Sequence, residues 1–250
     1  MLAVIGGSGW ETFEGFETNT SRSVQTRYGE TSAALALGVL RQGERASEQL
    51  YFLPRHGEAH KIPPHKINYR ANIDALAQAG VTQVIALNTV GACNTHWAPG
   101  ELVLPVQVID YSYGRAHTFF DTLDDFSGHV DFSEPLQSDL REPLRAVAQS
   151  LGITVHDGGT YGCTQGPRFE TAAEIRRLQR DGCDLVGMTL MPEAALCRER
   201  GIQYLSLCLV VNPAAGVTEN ALDLPDIEKA MQLAAGRAHR LLSSLLLSRN

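Results

Sequence analysis

The stretch MLAVIGGSGW, residues 1–10, decides the fold class. Its apolar run LAVI has the length of a strand and passes at once into Gly6, Gly7, Ser8 and Gly9. A short apolar run that ends in glycines reads as a buried strand followed by a tight turn. The same unit recurs downstream. Residues 49–53 (QLYFL) run into Pro54, Arg55, His56 and Gly57, and residues 84–87 (VIAL) run into Asn88, Thr89, Val90, Gly91 and Ala92. Residues 102–109 read as a strand interrupted by Pro105, with further strands at 185–188 and 204–211. Helical spacing fills the intervals. Residues 69–79 put Ile73, Leu76 and Ala77 on one face and stop at Gly80. Further helices are expected at 139–151, 171–180 and 192–200, and a long amphipathic one at 225–248 with Leu241, Leu242, Leu245 and Leu246 as its stripe. Alternating strands and helices argue for one α/β domain over residues 1–250, with a mostly parallel central sheet and helices on both faces. Ligands of such sheets gather at the carboxyl ends of strands. The strand-end residues are therefore the ones to read for chemistry.

Composition narrows the partners. The chain is 44% hydrophobic and 20% charged, which leaves ample material for a core. Its formal net charge is -7 and it has no basic block, so a general nucleic-acid binder is not expected. No apolar run approaches the roughly 20 residues of a membrane helix. The start lacks a basic segment followed by a long apolar one, so no signal peptide is expected. Five cysteines with no CxxC pair suit a reduced, cytoplasmic setting.

The candidate residues are individually ambiguous. Backbone N–H groups and the hydroxyl of Ser8 at the Gly6–Gly9 turn suit a phosphate, though a plain tight turn explains the glycines as well. The pattern is not GxGxxG, P-loop or nucleophile elbow. Arg55 can hold phosphate oxygens in pairs with His56 as a further donor, or be half of a surface charge pair. His56, His60 and His65 lack metal-ligand spacing, so no metal is expected. Thr89 offers a hydroxyl at one strand end, and Met188 with Thr189 does so at another. Residues 112–135 turn polar and aromatic, with Arg115, His117, Phe119 and Phe120, and read as a long excursion over a site or as a bare surface loop.

Taken together, IGGSG (5–9), PRHG (54–57), NYRANI (68–73), NTVGA (88–92), PGELV (99–103), TQGPRFET (164–171), VGMTLMPEAALCRE (186–199) and LVVNPAAG (209–216) resemble the trimeric purine nucleoside phosphorylase and methylthioadenosine phosphorylase family. The resemblance implies a phosphorylase fold, a single α/β domain with a distorted, mixed central β-sheet flanked by helices. It also implies a homotrimer with sites between subunits. It places phosphate against Ser8, Arg55, His56, Thr89 and Thr189, with Ala92 nearby, and gives Ser8, His56 and Asn212 the catalytic roles. Met188 would pack on the ribose. Phe169, Glu170 and Asn212 would surround the purine, with Ala214 and Leu224 as further substrate contacts. His60, His117 and Phe119 would close the site of a neighbouring subunit. No metal or organic cofactor is implied; inorganic phosphate is a co-substrate.

The base and sugar can be read further. A carboxylate such as Glu170 accepts from the N1–H of a 6-oxopurine, whereas adenine presents an acceptor there. Adenine-type members of the family place Ser at position 170 and Asp at 212 and 214, and this chain has Glu170, Asn212 and Ala214. Members that prefer inosine tend to place a His early in the last helix, and none occurs here between Asn212 and His239. Val217, Leu222, Leu224 and Ile227 suit an apolar 5′-methylthio group instead. VNPAAG with Glu170 resembles the bacterial S-methyl-5′-thioinosine phosphorylases. A general 6-oxopurine nucleoside phosphorylase, a methylthioadenosine phosphorylase, a nucleoside hydrolase and a non-catalytic nucleotide-binding module are the alternatives.

Overall fold

The computed structural model describes residues 1–122, 128–219 and 223–249. In chain order the strands are β1 (Leu2–Gly6), β2 (Phe16–Arg22), β3 (Gln25–Thr26), β4 (Gly29–Glu30), β5 (Leu35–Gln42), β6 (Arg45–Ala46), β7 (Leu50–Pro54), β8 (Gln83–Ala92), β9 (Leu102–Leu104), β10 (Gln107–Asp110), β11 (Val155–Asp157), β12 (Thr160–Cys163), β13 (Leu185–Gly187) and β14 (Gln203–Pro213). The helices are α1 (Tyr69–Gln78), α2 (Arg141–Ser150), α3 (Ala172–Arg180), α4 (Leu190–Glu199) and α5 (Leu224–Leu247).

The apolar strands fold as they do because they are covered twice. Along β1, Ala3 and Ile5 enter one core layer while Leu2 and Val4 enter the other. In β14 the alternation is Tyr204, Cys208 and Val210 against Leu205, Leu207 and Leu209. A strand with period-2 side chains can be apolar throughout only if both faces are buried. Helices α1 and α4 supply Ile73, Leu76 and Leu196 to the first layer. Helices α2 and α5 supply Leu144, Ala148, Leu241, Leu242 and Leu245 to the second. An α/β fold with helices on both faces of the sheet follows. Each fully buried leucine of these layers contributes roughly 1.5–3 kcal/mol relative to exposure.

The sheet is mixed, as the family resemblance implies, rather than mostly parallel as the strand–helix alternation suggests. Its centre, β7-β1-β8-β14, is parallel. Antiparallel pairs β2·β5 and β5·β7 extend one edge. That extension was not legible: β2, FETNTSR, is almost wholly exposed and carries no apolar run. The segment around Pro105 is two strands rather than one. β9 pairs with β11 and β14, and β10 pairs with β12.

One irregularity makes the site. β8 pairs with β1 only as far as Ala86, and its last residues, Gly91 and Ala92, pair antiparallel with β13. Residues 87–90 thus leave a fork in the sheet. The opposite edge of β8 follows β14, which carries a bulge between Val210 and Asn212. The bulge sets Val211 and Asn212 side by side on the same cavity wall.

Residues 112–122 do not arch over this fork as expected. Thr118 Oγ1 and Phe119 N each donate to Glu199, both at 2.7 Å, and Arg70 pairs with Asp121, so the segment is fastened to α1 and the end of α4. Residues 123–127 of the excursion lie outside the described residues.

Candidate active site

A cavity of about 580 Å³ opens at the fork. Its floor is the turn after β1. Trp10 N donates to Gly7 O at 3.0 Å, and Gly9 takes φ 76°, which the third position of a type II turn requires. A side chain on Gly7 would meet Leu87 O at 2.3 Å and Arg55 Nη1 at 2.8 Å. The glycine lets the turn close against β8 and leaves Ser8 facing the cavity.

Arg55 departs from expectation. It is 0% exposed. Its Nε and Nη2 donate to the two oxygens of Glu193 at 2.9 and 2.7 Å, and Nη1 donates to Leu87 O at 2.6 Å. The fork that would grip a phosphate in pairs is therefore occupied by Glu193. Tyr204 Oη donates to the same carboxylate at 2.8 Å. Burial alone would lower the Arg55 pKa, but the Glu193 charge outweighs it and holds the guanidinium firmly protonated. What Arg55 offers the cavity is a fixed positive charge behind the wall and its two remaining N–H groups.

His56 has a defined tautomer. Its Nδ1 lies 2.8 Å from Ile62 O, and a carbonyl only accepts, so Nδ1 carries the hydrogen. Burial, then the neighbouring Arg55 charge, push its pKa down to about 4, so the ring is neutral at physiological pH. Neutral His56 therefore presents Nε2 as an acceptor rather than the donor expected from sequence. The depressed pKa also carries a stability cost in acid. The unfolded chain binds the proton first, so stability declines as pH falls from about 6.5 toward 4.

His60 lines this chain's own cavity. Its ring stacks on His56 at 4.4 Å, its Nδ1 pairs with Glu11 at 2.8 Å, and its Nε2 lies 3.5 Å from Ser8 Oγ. It holds φ 51°, a left-handed conformation that costs energy outside glycine and marks functional positions.

Thr189 is aimed by two buried residues. Ser206 Oγ donates to Asn88 Oδ1 at 2.9 Å, and Asn88 Nδ2 donates to Thr189 Oγ1 at 2.9 Å. Because Thr189 Oγ1 accepts from Asn88, its own hydrogen is free for an anion in the cavity. Asn88→Ala removes that constraint and strands two buried hydroxyls. A rise of about tenfold in the KM for phosphate is expected, with little change in the KM for the nucleoside. An unchanged phosphate KM in steady-state assays would refute the relay.

The other half of the cavity holds Phe169, Glu170, Met188, Asn212 and Ala214. Thr164 Oγ1 donates to Glu170 Oε1 at 2.5 Å, which fixes the carboxylate and leaves Oε2 open. Asn212 spends one N–H on Pro213 O at 2.7 Å, leaving Oδ1 and its second N–H. Thr89, on β8, also lines the cavity.

Several expected contacts lie elsewhere. Ala92 is locked into β13 pairing and packed in the core, and Val90 and Gly91 line the cavity in its place. Leu224 is 67% exposed at the start of α5. Ile227 and Met231, one and two turns further on, reach the cavity instead. Val217 packs beside Ala214 in a separate small cluster, and Leu222 lies outside the described residues. Phe119 is buried between Tyr28 and Arg200 and does not line this cavity. His117 is exposed and outside this cavity. Sequence reasoning missed Glu193, Asn88 and Met231. The first two carry no signal, since their partners are 138 and 101 residues away. Met231 follows Ile227 at helical spacing and was legible once the face of α5 was known.

The fold is that of a nucleoside phosphorylase, and the chain belongs to the phosphorylase superfamily, whose family model matches residues 1–247. It is 45% identical over 247 residues to a probable S-methyl-5′-thioinosine phosphorylase of Pseudomonas syringae pv. tomato, covering 98% of both chains. It is 43% identical over 236 residues to a 6-oxopurine nucleoside phosphorylase of Pyrococcus furiosus, covering 92% of this chain and 86% of the relative. Among solved structures it is similar to methylthioadenosine phosphorylase from Schistosoma mansoni in complex with adenine, with a TM-score of 0.88 at 30% identity, covering 98% of this chain and 90% of that one.

Proposed function

We propose that the protein catalyses phosphorolysis of S-methyl-5′-thioinosine to hypoxanthine and 5-methylthioribose 1-phosphate. The observation that carries this is the composition of one cavity. Ser8, His56, Thr89 and Thr189 line it together with Glu170 and Asn212, and Ile62, Ile227 and Met231 add apolar surface to the same wall. The Pseudomonas relative's named activity supports the same reading.

Cleavage of the N9–C1′ bond puts positive charge on the ribose and negative charge on the base. Phosphate held beside C1′ by Ser8 and the Thr189 hydroxyl, with the Arg55 charge behind it, stabilises the first and forms the new C1′–O bond. The base leaves protonated at N7, where Asn212 Oδ1 accepts, while Glu170 accepts from N1–H. Hydrogen phosphate brings the one proton that the departing base takes up, so the count closes. The Met231 thioether and Ile227 give a 5′-methylthio group an apolar seat where a 5′-hydroxyl would lose hydrogen bonds. Comparing kcat/KM for methylthioinosine and inosine tests this; a preference for inosine would assign the protein to the general 6-oxopurine enzymes.

The His56 tautomer adds a prediction. An Nε2 acceptor needs a P–O–H to bind, and sulfate has no proton at neutral pH. Sulfate is expected to compete with phosphate at least about tenfold more weakly than a charge-only site would allow. His56→Asn, whose amide can donate, should narrow the gap. Inhibition constants for sulfate that match phosphate in the native enzyme would refute the acceptor role.

We further infer a cytoplasmic homotrimer. Five buried free thiols suit a reducing compartment, and exposed Phe169, 46% accessible at the cavity mouth, suits cover by a second copy. Among the described residues no helix is long and apolar enough to cross a membrane. Sedimentation at the mass of one chain would contradict the trimer.

A further inference from the structure

Arg115 stands outside the cavity, yet it is buried and every one of its five N–H groups is used. Nη2 donates to Thr164 O at 3.2 Å and to Gln165 O at 2.9 Å. Nη1 donates to Met188 O at 2.9 Å and to Met191 O at 2.6 Å. Nε donates to Gln165 Oε1 at 3.1 Å. All five acceptors are uncharged oxygens, and four are backbone carbonyls. A buried cation satisfied by neutral dipoles alone is a costly way to gain stability, which makes geometry the property it serves.

The two segments it joins are the two walls of the site. Thr164 holds the Glu170 carboxylate, and the chain from 164 to 170 carries the base-facing residues. Met188 and Thr189 line the cavity from the other segment, and on the phosphorylase reading they serve the ribose and phosphate. These segments leave the paired strands β12 and β13, where Cys163 lies opposite Gly187, and are also joined by Thr164 N donating to Gly187 O at 2.8 Å and by contacts of Cys163 with Met191; Arg115 ties them beyond the end of that ladder.

We propose that Arg115 is a positioning residue that sets the spacing between the base wall and the phosphate wall, so that both substrates are held at reacting distance together. This rests on the phosphorylase reading of the site. A lysine cannot replace it, because one ammonium has three donors and no planar fork.

The test compares native enzyme, Arg115→Ala and Arg115→Lys, with kcat and both KM values measured for methylthioinosine and phosphate, and melting followed in parallel. In Arg115→Ala, both KM values are expected to rise about tenfold and kcat to fall about a hundredfold. Added guanidinium ion should recover part of the activity. Arg115→Lys should fall between, and it carries the test if the alanine variant does not fold. A lowered active fraction with both KM values unchanged, or a rise in one KM alone, would overturn the proposal. Native enzyme without turnover would instead reject the phosphorylase reading. Calorimetric binding of hypoxanthine and of phosphate to native and variant protein would then decide the Arg115 proposal by the same joint loss.

Discussion

Glu170→Gln is expected to lower kcat/KM for methylthioinosine by about a hundredfold and to raise it for methylthioadenosine. The geometry around Thr164 is the reason. Its hydroxyl donates to one oxygen of Glu170, so a glutamine at this position is drawn to turn its carbonyl to Thr164 and its NH₂ to the base. That NH₂ opposes the N1–H of a 6-oxopurine, donor against donor. It matches the bare N1 of adenine. Glutamine keeps the size of the side chain, so a packing defect does not explain such a switch. Paired kinetics on the two nucleosides check it. A variant that loses activity on both to the same degree, and keeps the native preference, would mean that Glu170 does not read the base.

The second large effect is on stability. Glu193→Ala should cost about 3–5 kcal/mol, because it leaves the Arg55 guanidinium buried and unpaired and removes the acceptor of Tyr204. For a domain of this size the melting temperature should fall by about 10 °C. Glu193→Gln keeps an acceptor and the volume and should cost less. Arg55→Met with Glu193→Leu removes both charges together, and is expected to melt close to the native protein while losing phosphate binding. Calorimetry on the three proteins checks the order. A melt of Glu193→Ala within 2 °C of native, by the same scaling, would mean the pair is dispensable for folding.

Much of the fold was legible because its central strands are buried on both faces. LAVI, VIAL and the run through Leu209 and Val210 have no alternative reading as solvated surface. Helix α3 begins where the expected 171–180 helix does, and the structure shows why: Thr171 and Glu174 form a capping box. The antiparallel edge was hidden, because an exposed strand such as β2 needs no apolar pattern to pair. Strand-end residues located the cavity, since a fork in the sheet collects whatever follows the strands. The direction of each side chain was not legible. Arg55 reads as an anion grip in any sequence, and only the carboxylate of Glu193 turns it into a buried staple. His56 reads as a donor until Ile62 O fixes its hydrogen on the other nitrogen. Arg115, in a stretch that suggested a lid, works inward through carbonyls that no sequence displays.

On the proposed function, the cavity breaks a methylthio-6-oxopurine nucleoside with phosphate as the nucleophile. Purified protein with methylthioinosine, assayed for hypoxanthine and sugar phosphate with and without phosphate, tests it directly. No release is expected in phosphate-free buffer, and equimolar hypoxanthine and 5-methylthioribose 1-phosphate are expected when phosphate is added. Hypoxanthine released at the same rate without phosphate would contradict it.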